Sequence, residues 1–344
     1  MPLRGTRVLF ALFALALWNG RAHPQEHGRF TAVEENDYFA PHNRDRHNTQ
    51  ALELDYLSSE GASSDLDTAM AWLSSSLPAF EPGAQSTARR YNVFLGQALF
   101  TPQDKTRADP DPRDRPYAGW INGGVDFLSE ADRRTLDRLR LQVGVIGPVA
   151  EGKATQNRTH LAIEAPIAQG WGHQLHDEPT VGLTFDRHWR FIADLNDAIA
   201  IDAIPAGRVE LGNAFDYAAL GGRVRFGQNL GADYGLPRVE PGPTGTTYFN
   251  AGALSPRSRF GWSLFIGAEG RAVGRNIFLD GNSFRRSASV SKNVLVGELE
   301  VGASAFYADW LRLSYTYAYR SPEFDGQRGG DSFGALTLSV ILPF

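Results

Sequence analysis

Apolar and polar side chains alternate along most of this chain, most clearly in its last third. In Phe333–Phe344, Leu336, Leu338, Val340, Leu342 and Phe344 share one face, with Thr337 and Ser339 on the other. In Ala308–Arg320, Leu311, Leu313, Tyr315, Tyr317 and Tyr319 alternate with Arg312, Ser314, Thr316, Ala318 and Arg320. Leu295–Tyr307 and Phe260–Ala268 repeat the pattern. A period of two is the signature of a strand with one greasy face. Each run is about ten residues, the length of a tilted strand that crosses a bilayer. Further strands are predicted at 31–39, 46–57, 90–100, 117–128, 136–147, 180–190, 197–204, 208–216, 219–227 and 245–253. The other face of the C-terminal runs carries charge (Glu298, Glu300, Arg312, Arg320), as a polar lumen would. The fold expected is all-β: a transmembrane antiparallel up-and-down barrel of about 12 strands, since single-chain bacterial barrels have even strand numbers, with short extracellular loop helices.

Three stretches break the pattern. Residues 59–88 are rich in Ser and Ala, with a helical run at Leu66–Leu77, and read as an extracellular loop. Residues 101–115 are rich in Pro and charge. Residues 148–179 begin where the strand through Leu141, Val143 and Val145 stops at Gly147-Pro148 and a helix-like run follows over Ala154–Leu161. On that helix Gln156 and His160 stand four apart and share a face.

Composition narrows the class. At the N-terminus, Arg4 and Arg7 precede an apolar core, Val8–Trp18, too short to span a bilayer as a helix, and Gly20-Arg21-Ala22 offers small residues for cleavage. The expectation is a signal peptide over 1–22 and one barrel domain over 23–344. The 344 residues include no Cys, which excludes a disulfide-stapled secreted domain. A net charge of −5 gives no basic footprint for nucleic acid. Aromatic content of 11 % with 36 Gly suits a barrel with aromatic girdles, and Tyr117 and Trp120 are expected in that interface belt.

Chemistry is concentrated in few places. Asn36 and Asp37 offer a carboxylate and an amide oxygen, a hard-cation pair, although on an uninterrupted strand neighbours face opposite ways. The bland alternative is a solvated rim. His160 is one of eight histidines, and a lone His is more often structural than catalytic. His173, His176 and His188 match no tetrahedral zinc spacing. No nucleophile elbow and no phosphate-cradling glycine loop is present.

Taken together these motifs resemble the outer-membrane lipid A 3'-O-deacylases, the LpxR family. The matching pieces are Asn36-Asp37-Tyr38-Phe39, Asp45-Arg46 with Thr49, Gly96-Gln97, Thr101-Pro102-Gln103-Asp104, Asp114–Trp120, Gly147-Pro148 with Gly152, Gln156, His160, Gly170-Trp171, Gln174-Leu175 and Asp177-Glu178-Pro179. They cover about residues 34–190. The resemblance implies a bacterial outer-membrane barrel of 12 strands, embedded as a monomer. It also implies lipid A, or the lipopolysaccharide carrying it, as substrate and Ca²⁺-dependent hydrolysis of the ester holding the 3' acyloxyacyl group. It implies His160 as the base that activates water, Gln156 as its neighbour, Asn36 and Asp37 as the metal-proximal pair, and Lys105 in the place of a functional lysine. A histidine suits proton removal near neutrality, and a cation beside the ester oxygen suits developing charge. The chain departs from the family at His47-Asn48-Thr49-Gln50-Ala51, where only Thr49 is kept of the usual Tyr-Thr-Asn-Gly. Two other functions remain open at this stage: a phospholipase with the same chemistry, and a catalytically silent barrel or pore.

Overall fold

A computed structural model describes residues 28–40, 46–60, 68, 72, 87–239, 245–254, 258–308 and 310–341. The expected signal peptide, most of the Leu66–Leu77 helix, Asp45 and Phe344 lie outside the described residues.

Thirteen antiparallel strands form a single sheet. They are β1 (Arg29–Asn36), β2 (His47–Leu57), β3 (Thr87–Thr101), β4 (Ala118–Ala131), β5 (Thr135–Ile146), β6 (Glu178–Trp189), β7 (Phe191–Asp194), β8 (Ala200–Gly212), β9 (Phe215–Gln228), β10 (Phe260–Asn276), β11 (Leu295–Tyr307), β12 (Leu311–Arg320) and β13 (Asp331–Ile341). β1 pairs with β13, and β6 pairs with β8, so twelve strands close on themselves and β7 is a short extra strand. Closure of the twelve strands pairs the barrel wall's backbone groups with one another, as a hydrocarbon surrounding requires.

The alternation has the anticipated cause. Leu52, Leu54, Val93, Leu95, Val143 and Val181 face outward and are exposed. The inward set is charged and buried. Phe30 packs against Tyr56 at a ring separation of 4.9 Å on the rim that carries the start of β1 and the end of β13. With Trp189, Phe260 and Tyr307 near the same rim, this builds an aromatic girdle.

Four expectations need correction. The stretches 197–204 and 208–216 are largely one strand, β8. Pro205 sits where β8 changes partner: Ala200–Ala203 pair with β7 and Ala206–Gly212 with β6. That gap tolerates a residue without an N–H. The stretch 245–253 is no strand; it ends a segment folded inside the barrel. β2 ends at Leu57 and β3 begins at Thr87 on the rim that carries the start of β1 and the end of β13, opposite the loop holding Gln156 and His160, so the extracellular placement expected for 59–88 does not hold. Tyr117 and Trp120 are not interfacial but fully buried. Trp120 points into the barrel, against Phe215 and Phe278, and donates to Thr180 Oγ1 at 3.0 Å.

The lumen is filled by paired charge. The chain after β9 turns inward, and Asp233 meets Arg225 and Arg312 at the lower level. Farther along, Arg238 reaches Glu35 at 2.5 Å and also approaches Glu298 and Glu300. Glu298 in turn accepts from Arg271 at 2.6 Å and from Arg320 at 2.8 Å. The inward charges thus pair with one another and with an inserted segment, which forms a polar plug.

Candidate functional site

On the rim opposite the termini, β5 ends at Ile146 and the chain turns outward. Gly147 adopts φ of +108°, a region side chains avoid, and a Cβ there would come within 2.5 Å of the Asp177 backbone nitrogen. A short 3-10 turn, Pro148–Ala150, leads into α1 (Gly152–Ala162). α1 lies on the outer wall. Gln97, on the outward side of β3, donates to Ala150 O at 2.7 Å, and Gly119 of β4 lets Gly152 approach within 3.1 Å of a would-be Cβ. Leu99, also outward, is covered by Ala168, Tyr117 and Trp171.

Gln156 and His160 both turn toward the wall and are 1 % and 4 % exposed. The segment Pro166–Trp171 folds back over them. His160 Nδ1 lies 2.5 Å from Pro166 O. A carbonyl only accepts, so Nδ1 carries the hydrogen and Nε2 the lone pair of the neutral ring. Trp171 Nε1 donates to Gln156 Oε1 at 2.7 Å. The Gln169 N–H donates to Lys105 O at 2.9 Å, and the Tyr117 hydroxyl to the same carbonyl at 3.4 Å. One six-residue segment therefore ties together three of the five expected site residues, with Lys105 itself buried.

Asn36 and Asp37 come from the end of β1. A 3-10 turn, Asp37–Phe39, replaces the continued strand, and Asn36 caps it by accepting the Tyr38 N–H at 2.8 Å. The turn leaves Asn36 on the outward side, with the carboxylate of Asp37 buried. Gly334 of β13 makes room for it, since a Cβ there would sit 2.6 Å from that of Phe39. Asn36 pairs across to Gln50, and Gln50 to Leu99, which touches Trp171. Two strand spacings, about 10 Å, thus separate Asn36 from the strand on which the Trp171 cluster rests. Glu34 accepts from Gln50 Nε2 at 3.0 Å on this same outward face. The wall beside α1 is therefore polar within an otherwise apolar belt.

The His47–Ala51 departure has a visible consequence. His47 Nδ1 lies 2.7 Å from Asp331 and Nε2 3.4 Å from Asp114, clamping the 102–117 loop to β13. Burial pushes the Asp114 carboxyl up, but hydrogen bonds from His47 and the Gln103 and Arg115 N–H groups hold it below the usual range. Thr49 is a bulge residue whose hydroxyl meets that of Thr101 at 2.6 Å. A polar cleft of about 370 Å³ at the barrel mouth, lined by His47, Asp104, Arg107, Asp114 and Arg328, contains none of the five expected residues.

Among the described residues no trio of His, Cys, Asp or Glu could hold a metal. His176 exchanges two hydrogen bonds of 2.9 Å with Asn282 through its backbone, and the ring of His188 bonds Asp186 inside the barrel. The turn at Asn36-Asp37 offers oxygen only: one carboxylate, one amide and backbone carbonyls. That donor chemistry fits a hard cation such as Ca²⁺, which accepts water and substrate oxygens for its remaining positions. Sequence reasoning missed Pro166 and Gln169, whose backbone atoms do the holding and leave no residue-type signal. Trp171 stood in a matching motif, but its partner could not be read.

The sequence matches the family described as outer membrane protein LpxR over residues 8–342. This chain belongs to the LpxR family. The family and the barrel place the protein in the bacterial outer membrane, and LpxR proteins are enzymes related to lipid A. LpxR from Salmonella typhimurium is 20 % identical, with a TM-score of 0.72, over 91 % of this chain and 100 % of that one, and shares the fold. The β domain of the Bordetella autotransporter BrkA, 9 % identical, has a TM-score of 0.43 over 92 % of this chain and 99 % of its own. No curated protein sequence matches.

Proposed function

We propose that this LpxR-family protein hydrolyses the ester holding the 3' acyloxyacyl group of lipid A. The observation that carries the reading is His160: Pro166 O fixes the hydrogen on Nδ1, so Nε2 is the proton acceptor, on the outer wall of the barrel where a lipid ester lies. His160 takes a proton from water, and the hydroxide adds to the ester carbonyl carbon. The bond from that carbon to the sugar oxygen then breaks, and the proton passes from His160 to the departing oxygen. Asp37 and Asn36 would hold Ca²⁺, which when bound polarises the ester carbonyl. Lys105, whose carbonyl is held by Gln169 and Tyr117 beside the cluster, would supply a positive charge suited to the anionic head of the substrate. The mouth of the barrel is no part of this scheme.

The test is mass spectrometry of lipid A and of phospholipids from cells expressing the wild type or His160→Ala. Loss of the 3' acyloxyacyl group with the wild type alone supports the reading. Deacylation by His160→Ala would overturn the mechanism, and wild-type cleavage of phospholipids in place of lipid A would reassign the substrate.

A further inference from the structure

The side-chain nitrogen of Gln156 is buried and has no hydrogen-bond partner among the described residues. Such a donor is costly to bury unless something else satisfies it. Its orientation is not arbitrary. The indole N–H of Trp171 can only donate, so Gln156 must present Oε1 to it at 2.7 Å, and Nε2 takes the other branch of the planar amide. Trp171 is itself 2 % exposed, packed against Tyr117 at a ring separation of 5.0 Å and covering Leu99. Gly152 admits its ring edge, since a Cβ there would come within 2.6 Å. A rigid ring therefore holds an N–H donor, unpartnered among the described residues, on the same helix face as His160.

Resting on the deacylase reading, we propose that Gln156 Nε2 donates to the ester oxygen that gains negative charge in the tetrahedral state, and that Trp171 is the residue that positions it. A donor aimed at the attacking water would tie up the lone pair that must attack, so the ester oxygen is the acceptor that helps. Donors fixed in place before the reaction stabilise developing charge most, because nothing has to reorient. Gln156 is then a catalytic residue, and Trp171 acts through it.

The decisive experiment compares Trp171→Phe, which keeps an aromatic ring but removes the N–H, with Gln156→Met, which removes the donor at similar size. Both are assayed as intact barrels, identified by heat-dependent gel migration. Loss of one such donor lowers kcat by about 100- to 1,000-fold. The expected result is that loss for Gln156→Met, a smaller loss of kcat for Trp171→Phe, and KM little changed in both. A phosphonate analogue of the ester, which mimics the tetrahedral state, should lose affinity in both variants while an uncleavable ether analogue does not. A merely structural Trp171 would weaken both analogues alike, and that outcome, or wild-type kcat in either variant, overturns the proposal. The deacylase reading fails separately, if the wild type leaves lipid A intact or His160→Ala remains active.

Discussion

At the scale of the residue, the site depends on atoms that carry no signal in the sequence. His160 and Gln156 were legible as a pair because four-residue spacing on a helix is a rule of geometry. The hydrogen on Nδ1 was not, because it is set by the carbonyl of Pro166, and any residue type supplies a carbonyl. Gly152 shows the opposite case: its identity matters because a side chain does not fit. A Cβ would meet the Trp171 ring at 2.6 Å and the Gly119 backbone at 3.1 Å. Gly152→Ala is expected to shift the indole and with it Gln156. Misplacement by about 1 Å can reduce a rate about 100-fold, so turnover should fall by up to that factor while the barrel assembles normally. Deacylation rates on purified lipid A, beside a gel-shift check of folding, decide it.

At the scale of the element, the strands were legible and the connections were not. Alternation fixes a strand's faces wherever one side meets lipid and the other a polar interior, and this holds from Phe260 to Ile341. It failed at 197–216, where two expected strands are largely one, and at 245–253, where buried side chains mimicked a strand. The latter belongs to the inserted segment, whose burial comes from the walls around it. Arg238 is that segment's main anchor, holding Glu35 and approaching Glu298 and Glu300. Removing one partner strands buried charge, at about 3–5 kcal/mol. Arg238→Ala should therefore lower stability by roughly that amount, read from urea unfolding in detergent. An unchanged midpoint would mean the plug does not rest on this anchor.

At the scale of the whole molecule, closure and filling separate two surfaces. The lumen neutralises its own charges, while the outer wall carries lipid-facing side chains and, on one sector, Glu34, Asn36 and Gln50 beside α1. The sequence showed that an apolar face exists but not which sector is polar, because that depends on Asn36 pairing with Gln50, Gln50 pairing with Leu99, and α1 folding onto β3 and β4. The order of motifs pointed to a site over residues 34–190, and the barrel puts those residues on adjacent strands. It does so through turns at Asp37 and Gly147 that alternation cannot foresee.

The proposed catalytic cluster lies on the outside of the barrel, where it would draw its substrate from the plane of the membrane. Molecules reach it by lateral diffusion, so the concentration that matters is counted per unit of surface. In mixed micelles the rate should follow the mole fraction of lipid A. Adding inert detergent at constant bulk lipid A should slow turnover in proportion, and a rate indifferent to that dilution would show that substrate arrives through water instead.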